Sequence, residues 1–227
     1  MDNRNAPPLN PLPPVVWLLA LPMILLEAVF SLGDGGVVGG PEAIGWRTAA
    51  IETYGLWPDY WRQQAGLGAF DAELLLRFFS YPFLHYTLTQ AVFAIVILLA
   101  MGKFVGEIFR WWALAVVFFG ASLVGGLVYV SIPAIQQPLF GAYPAVYGLI
   151  GAFTFLLWVR LAGTGVNQFR AFSMIGFLLF VQLLFGVLFG GGWEWVADLS
   201  GFAAGFFLSF VVSPGGFGRV RMRIRQR

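Results

Sequence analysis

Long apolar stretches, separated by shorter polar, glycine-bearing or proline-bearing segments, dominate the chain. A helix that crosses a hydrocarbon layer about 30 Å thick needs about 20 mostly apolar residues. Six stretches meet this requirement: Val15–Gly33, Phe83–Met101, Trp111–Ser131, Tyr143–Leu161, Ala171–Phe189 and Glu194–Val212. The pattern therefore predicts an all-α membrane protein, a bundle of six transmembrane helices.

A single long connection, residues 34–82, joins the first two stretches. It mixes tryptophan, leucine and phenylalanine with six acidic residues, Asp34, Glu42, Glu52, Asp59, Asp71 and Glu73. Aromatic side chains favour the depth of the lipid headgroups. We therefore expect amphipathic helices that lie on the outer leaflet of the membrane, at the level of the headgroups. A small extramembrane cap is the alternative.

Composition supports a membrane protein and excludes several kinds of site. The chain is 59% hydrophobic and 11% charged, whereas soluble domains are about 45–50% apolar and about 25% charged. The lipid bilayer is therefore its first predicted partner. The absence of cysteine excludes disulfides and thiolate ligands, and the single His85 argues against a histidine metal cluster. We predict no cofactor and no metal.

The basic residues predict the orientation, because they stay on the cytoplasmic side of short loops. With the N-terminus inside, ten arginines and lysines lie inside and three lie outside. The inside set is Arg4, Lys103, Arg110, Arg160, Arg170 and the five arginines of Arg219–Arg227, and the outside set is Arg47, Arg62 and Arg77. We predict that both ends are cytoplasmic, as in a bacterial inner-membrane protein.

The same patterns divide the chain into three parts. Residues 1–14 form a cytoplasmic segment, residues 15–212 the six-helix membrane domain, with 34–82 as its outer interfacial loop, and residues 213–227 a basic cytoplasmic tail. A cleaved signal peptide is the competing interpretation of the first stretch, but no compact basic region precedes it and no small-residue cleavage site follows. The tail is interpreted as a lipid headgroup anchor rather than a nucleic-acid site.

Polar side chains from four helices share one depth in this topology. Glu27 lies about 9 Å and Asp198 about 6 Å below the outer ends of their helices, and His85 and Gln90 begin the second span from the same side. Together with tyrosines of the fourth span they predict an outward-facing polar pocket, lined by Glu27, His85, Gln90, Tyr143, Tyr147 and Asp198. For each residue alone, a structural hydrogen bond is the alternative.

Small residues predict which helices pack closely. The sixth span has Gly201 and Gly205 on the Asp198 face, and the fourth span has Gly148 and Ala152 at the same spacing. Such small-xxx-small steps let helix backbones approach one another. Packing of these two spans would bring the two tyrosines and Asp198 together.

The residues of this pocket lie in segments that resemble the rhomboid family of intramembrane serine proteases. Residues 76–85, LRFFSYPFLH, resemble the family's W-R-x-x-T-x-x-x-x-H segment, and Glu107 lies where the family has a glutamate. Residues 141–151, GAYPAVYGLIG, resemble the G-x-S-G motif of the fourth span, and residues 196–205, VADLSGFAAG, resemble the A-H-x-x-G-x-x-x-G motif of the sixth. The resemblance implies the rhomboid six-helix fold with a long membrane-embedded first loop.

The departures from the family fall on its catalytic positions. Tyr143 occupies the position of the nucleophilic serine, Asp198 that of the histidine base, and Gln90 and Ala94 replace a second-span histidine and an oxyanion-hole asparagine. Acyl transfer needs a hydroxyl nucleophile, a neutral base and donors for the oxyanion. We therefore expect no catalytic residues, and a filled site in which the Tyr143 hydroxyl donates a hydrogen bond to Asp198.

Three functions are compatible with these residues. The favoured one is a non-catalytic rhomboid-like protein that binds the transmembrane helix of a client or is a subunit of a membrane complex. The second is an active protease with relocated groups, with Ser200 or Ser80 as nucleophile and His85 as base. The third, a solute carrier that uses Glu27 and Asp198, is disfavoured because the polar groups are confined to the outer third of the bilayer.

Overall fold

The computed structural model describes residues 11–162, 164–189 and 192–214, so residues 1–10 of the predicted N-terminal segment and residues 215–227 of the predicted basic tail lie outside the described residues. Within them the chain forms nine α-helices and no extended strand. They are α1 (Pro14–Asp34), α2 (Trp46–Tyr54), α3 (Pro58–Leu67), α4 (Ala72–Ser80), α5 (Leu88–Gly106), α6 (Trp111–Ser131), α7 (Tyr143–Leu161), α8 (Ser173–Phe189) and α9 (Glu194–Val212). The all-α prediction is confirmed.

Five of these helices, α1, α5, α6, α7 and α9, are long and apolar enough to cross a membrane. The sixth predicted span corresponds to α8, which has 17 residues and starts two positions late because a 3₁₀ turn, Gln168–Phe172, precedes it. The second span was predicted about five residues too early. A 3₁₀ turn at Tyr81–Phe83 occupies the predicted start of this span. Helix α5 begins at Leu88, because the Thr87 side chain caps it by accepting a hydrogen bond from the backbone N–H of Gln90.

The long connection after α1 folds into the short helices α2, α3 and α4, and its mixture of aromatic and acidic residues had predicted helices there. Asp71 caps α4 by accepting a hydrogen bond from the Leu74 amide. The apolar face of α4 buries Leu74 and Phe78, and Phe78 packs edge-to-face with Trp61 of α3 at 5.3 Å. Both α3 and α4 contact α6, so the connection is packed on the bundle. Its location at a membrane interface stays a prediction.

Helix α7 is the centre of the bundle. Every residue from Pro144 to Ala152 is buried, which marks a helix that is covered on all sides. It packs against α5, α6 and α9.

Glycines allow the backbones of α7 and α9 to touch. A Cβ atom on Gly201 would overlap the carbonyl of Pro144, and one on Gly205 would overlap the backbone of Gly148. Gly151, rather than the predicted Ala152, provides the next close approach, because a Cβ there would overlap the carbonyl of Phe202. Ala152 is fully buried in the main core.

One arginine fastens the long connection to the end of the bundle at which α1 ends and α5, α7 and α9 begin, here called the loop end, and a second arginine holds the connection together internally. Arg62 donates hydrogen bonds to the carbonyls of Ile132 (3.1 Å) and Ile135 (3.0 Å) after α6. Arg77 donates to the Gly55 carbonyl (2.9 Å) within the connection. Charge-assisted hydrogen bonds of this kind hold irregular backbone that has no helical partner.

Candidate functional site

A cavity of about 320 Å³ lies at the loop end of the bundle. It is lined by Gln90, Leu139, Phe140, Tyr143, Pro144, Tyr147, Gln182, Glu194 and Asp198. The structure thus brings together four of the six residues that the sequence grouped in one pocket. The other two, His85 and Glu27, lie elsewhere.

Helical spacing and close packing explain why these side chains meet. Tyr143 and Tyr147 are four residues apart at the start of α7, and Glu194 and Asp198 are four apart at the start of α9, so each pair shares a helix face. Pro144 is tolerated in the first turn of α7, where its missing N–H would have no helical partner. The contact at Gly201 then places the two faces side by side.

Asp198 is buried, with 3% of its surface exposed, and its partner is Gln182 of α8. The Gln182 Nε2 donates a hydrogen bond to Asp198 Oδ2 at 2.8 Å, and the Tyr147 hydroxyl donates to Gln182 Oε1 at 3.4 Å. Asp198 Oδ1 has no hydrogen-bond donor anywhere in the part of the chain that the structure describes. The Gln182 side chain therefore links Tyr147 of α7 to Asp198 of α9, and Asp198 Oδ1 stays without a donor from the described residues.

The expected hydrogen bond between Tyr143 and Asp198 is not present among the described residues. Tyr143 lines the cavity and is half-buried, but the carboxylate accepts from Gln182 instead. Gln182 was not among the residues predicted for the pocket, although an amide in the middle of an apolar span is a recognisable signal for an interhelical hydrogen bond.

Gln90 closes the α5 side of the cavity. Its Oε1 accepts a hydrogen bond from the Tyr86 amide at 2.9 Å. Gly141 has a φ of +98°, a conformation that favours glycine, and a Cβ there would lie 3.1 Å from Gln90 Nε2. Ala94, one turn further along α5, is fully buried in the core and does not line the cavity.

His85 lies behind the cavity wall and is 2% exposed. Its Nε2 accepts a hydrogen bond from the Ala142 amide at 3.4 Å, just before α7. The pKa of His85 is lowered to about 4, chiefly by burial and also by the nearby Arg47, although Glu27 and a hydrogen bond with the Phe83 backbone oppose the shift. The imidazole is therefore neutral at pH 7 and supports the turn that leads into α7.

Glu27 belongs to a separate ionic cluster, which corrects its predicted place in the pocket. Arg47 of α2 donates to both carboxylate oxygens of Glu27 at 2.9 Å, and Ser31 donates a further hydrogen bond at 2.8 Å. Arg47 also donates to the His85 carbonyl and to Asp34, and the Glu27 hydrogen bonds raise the Arg47 pKa. The position of Glu27 near the loop end of α1 agrees with the sequence, but the sequence did not reveal that Arg47 pairs with it.

The serines of the relocated-protease hypothesis are not paired with His85 within the described residues. Ser80 donates to the Tyr54 carbonyl at 2.8 Å. Ser200 lines an apolar groove on the other side of α9, together with Val124 and Phe207. No three histidine, aspartate or glutamate side chains in residues 11–162, 164–189 and 192–214 are grouped so as to hold a metal ion.

Comparison with known protein families matches a Rhomboid domain to residues 72–215. The chain belongs to the rhomboid family. The matched region runs from α4 to just beyond α9 and contains every residue that lines the cavity, whereas α1, Glu27 and Arg47 precede it. No curated protein matches the chain.

Proposed function

We propose that this rhomboid-family protein is non-catalytic and that it binds the transmembrane helix of a client or serves as a subunit of a membrane complex. The observation that carries the proposal is the pair Tyr143 and Asp198 at the positions where rhomboid motifs have the nucleophile and the base. Asp198 accepts a hydrogen bond from Gln182, whereas the proteolytic reaction of the family needs a neutral base at this position.

The chemistry of the cavity supports this proposal. Acyl transfer develops negative charge on the substrate carbonyl oxygen, which must be stabilised by hydrogen-bond donors. A carboxylate at Asp198 would repel that charge. Ala94 supplies no polar group, and Pro144 has no backbone N–H to offer.

The packing of the helices supports binding of a client helix between α5 and α8. In the described residues, α5 packs mainly on α1 and α7, and α8 packs mainly on α9 and the 3₁₀ turn before it. The cavity takes Gln90 from α5 and Gln182 from α8. Phe93 of α5 is 59% exposed and Phe180 of α8 is 62% exposed, so both helices offer apolar contact area.

Site-specific photo-crosslinking in membranes tests this binding mode. A photoreactive amino acid at Phe93 or Phe180 should capture the same membrane partner. The same probe at Val116, an exposed position on α6, is the matched control and should not capture it. Equal capture from all three positions would mean that lipid-facing contact is unspecific and would contradict the proposal.

The non-catalytic part has its own test. The purified protein should remain unlabelled by a fluorophosphonate probe and should leave rhomboid substrates intact. Labelling that is lost in Ser200→Ala or Ser80→Ala would instead support the relocated protease.

We further propose that the protein lies in a bacterial inner membrane with both ends in the cytoplasm and the loop end outside. The ten-to-three distribution of basic residues supports this orientation. Reporter fusions after Gly33 and Gly192 should be periplasmic, and those after Gly106, Gly165 and Arg227 cytoplasmic. A cytoplasmic signal at Gly192 would contradict it.

A further inference from the structure

The polar groups of the cavity are unequally divided between donors and acceptors. Tyr147 and Gln182 are used in the chain of hydrogen bonds that ends at Asp198, and the Gln90 Oε1 is occupied by the Tyr86 amide. The groups left to meet a ligand are three with acceptor oxygens, Asp198 Oδ1, the Glu194 carboxylate and the Tyr143 hydroxyl, and one amide donor, Gln90 Nε2. A carboxylate accepts hydrogen bonds only, so a ligand group that meets Asp198 and Glu194 must be a donor.

The two acids of the cavity, Asp198 and Glu194, also have no basic partner in the described part of the chain. No arginine or lysine lines the cavity, and the three arginines of the loop end are hydrogen-bonded elsewhere. Asp198 is the fifth residue of α9, beyond the first turn in which the helix dipole stabilises an anion. A carboxylate buried in a membrane bundle is costly without a partner.

We propose that the cavity binds the ammonium group of a lysine side chain, which a client helix carries at the level of the loop end. This inference rests on the proposed function, because it identifies the chemistry by which that site would recognise its client. An ammonium has three donors, and the free acceptors come from Asp198, Glu194 and Tyr143. Tyr143 and Tyr147 also line the cavity, and aromatic rings attract cations.

The exposure of the lining residues gives the ammonium a route. Glu194 is exposed, Tyr143 and Gln90 are half-buried, and Asp198 is buried. A lysine would therefore meet Glu194 at the mouth and Asp198 at the inner end.

The first experiment measures the cavity without a client. Thermal unfolding of the detergent-solubilised protein is followed with butylammonium chloride, with butanol and with sodium chloride at matched ionic strength. A ligand that binds only the folded protein raises its unfolding temperature. Butylammonium, but neither control, should raise it for the unchanged protein and for Glu42→Gln, an exposed acid outside the cavity.

The variants of the cavity decide this experiment. The shift should disappear in Asp198→Asn and shrink in Glu194→Gln, which keeps the proposal testable if the buried variant does not fold. A shift that persists in both variants, or no shift in the unchanged protein, overturns the proposal.

The second experiment separates this inference from the proposed function. Two polyleucine helices are compared in nanodiscs, one with a lysine in its outermost turn and one with norleucine there. The lysine peptide should bind about tenfold more tightly to the unchanged protein and lose that advantage in Asp198→Asn. Equal binding of the two peptides overturns the lysine preference and leaves helix binding intact. If neither peptide binds while butylammonium still acts through Asp198, the cation site stands and the helix-binding function fails.

Discussion

Two buried acids at the loop end, Glu27 and Asp198, differ in how completely they are paired. They are 4% and 3% exposed. Glu27 accepts three hydrogen bonds, two from the Arg47 guanidinium and one from Ser31. Asp198 accepts one, from the neutral amide of Gln182, and keeps a free oxygen.

The difference separates a structural ion pair from a candidate binding site. Buried polar groups are nearly always satisfied, and each exception calls for an explanation. The Glu27 cluster ties α1 to α2 and to the turn at His85, so it maintains the fold. The Asp198 cavity keeps unmet hydrogen-bonding capacity in a space large enough for a side chain, as expected of a site that binds something.

The largest effect is expected when the guanidinium that pairs with Glu27 is removed. Arg47→Met should lower the free energy of unfolding by about 3–5 kcal/mol, because it leaves a buried acid without its charged partner. The double variant Arg47→Met with Glu27→Leu should recover much of that loss. Thermal unfolding in detergent measures both.

Arg62→Met is the matched control for this variant. It also removes hydrogen bonds to backbone carbonyls, but its acidic partner Asp59 is largely exposed. Its effect should therefore be smaller. A loss as large as that of Arg47→Met would show that the buried charge is not the decisive factor.

The next test uses pH. His85 has a pKa of about 4 in the folded protein, against about 6.5 when unfolded. The unfolded state therefore binds more protons between these values, and stability falls as the pH is lowered from about 6.5 to about 4, by up to about 3 kcal/mol. Unfolding temperatures of the unchanged protein and of His85→Gln, measured across this range, isolate the histidine.

The difference between those two curves is the decisive quantity, because carboxylates titrate in both proteins. Parallel curves would mean that His85 is not buried as a neutral imidazole.

A smaller effect is expected at the partner of Asp198. Gln182→Leu should cost about 1–3 kcal/mol, because it leaves a buried carboxylate without a donor. Gln90→Leu, which loses a neutral bond to the Tyr86 amide at the partly open side of the cavity, should cost about 0.5–1.5 kcal/mol. Adding Asp198→Leu to Gln182→Leu should restore stability, and strictly additive losses would contradict their contact.

The smallest effect is expected for Tyr143→Phe. The Tyr143 hydroxyl has no hydrogen bond within the described residues, so its removal should change stability by less than about 0.5 kcal/mol. The same variant should weaken butylammonium binding if Tyr143 is one of the acceptors in the cavity. A large loss of stability would instead support a direct hydrogen bond from Tyr143 to Asp198.

The sequence predicted the helices well because their lengths follow from local composition. The spans of α6, α7 and α9 begin and end where the apolar pattern indicated. The start of α5 was misplaced because Pro82 lies in an apolar run yet forms a 3₁₀ turn. The glycines of α9 also indicated its contact with α7, since only small residues permit such an approach.

The candidate site was predicted in part, and its two errors have different origins. Four lining residues were identified from the family positions and from depth, which counting along a helix provides at 1.5 Å per residue. Gln182 was missed although an amide within an apolar stretch is visible in the sequence. Glu27 was assigned to the wrong group because the sequence does not show the direction in which a side chain points around its helix.

By itself, the sequence determined the membrane solvent, the helical class and the height of each polar group along its helix, because these follow from hydrophobicity and helical rise. Only the tertiary structure decided which polar groups meet. The pairs Glu27 with Arg47 and Asp198 with Gln182 join separate helices, so they depend on how each helix is rotated against its neighbours. That rotation is set by the packing of the whole bundle, and no single segment encodes it.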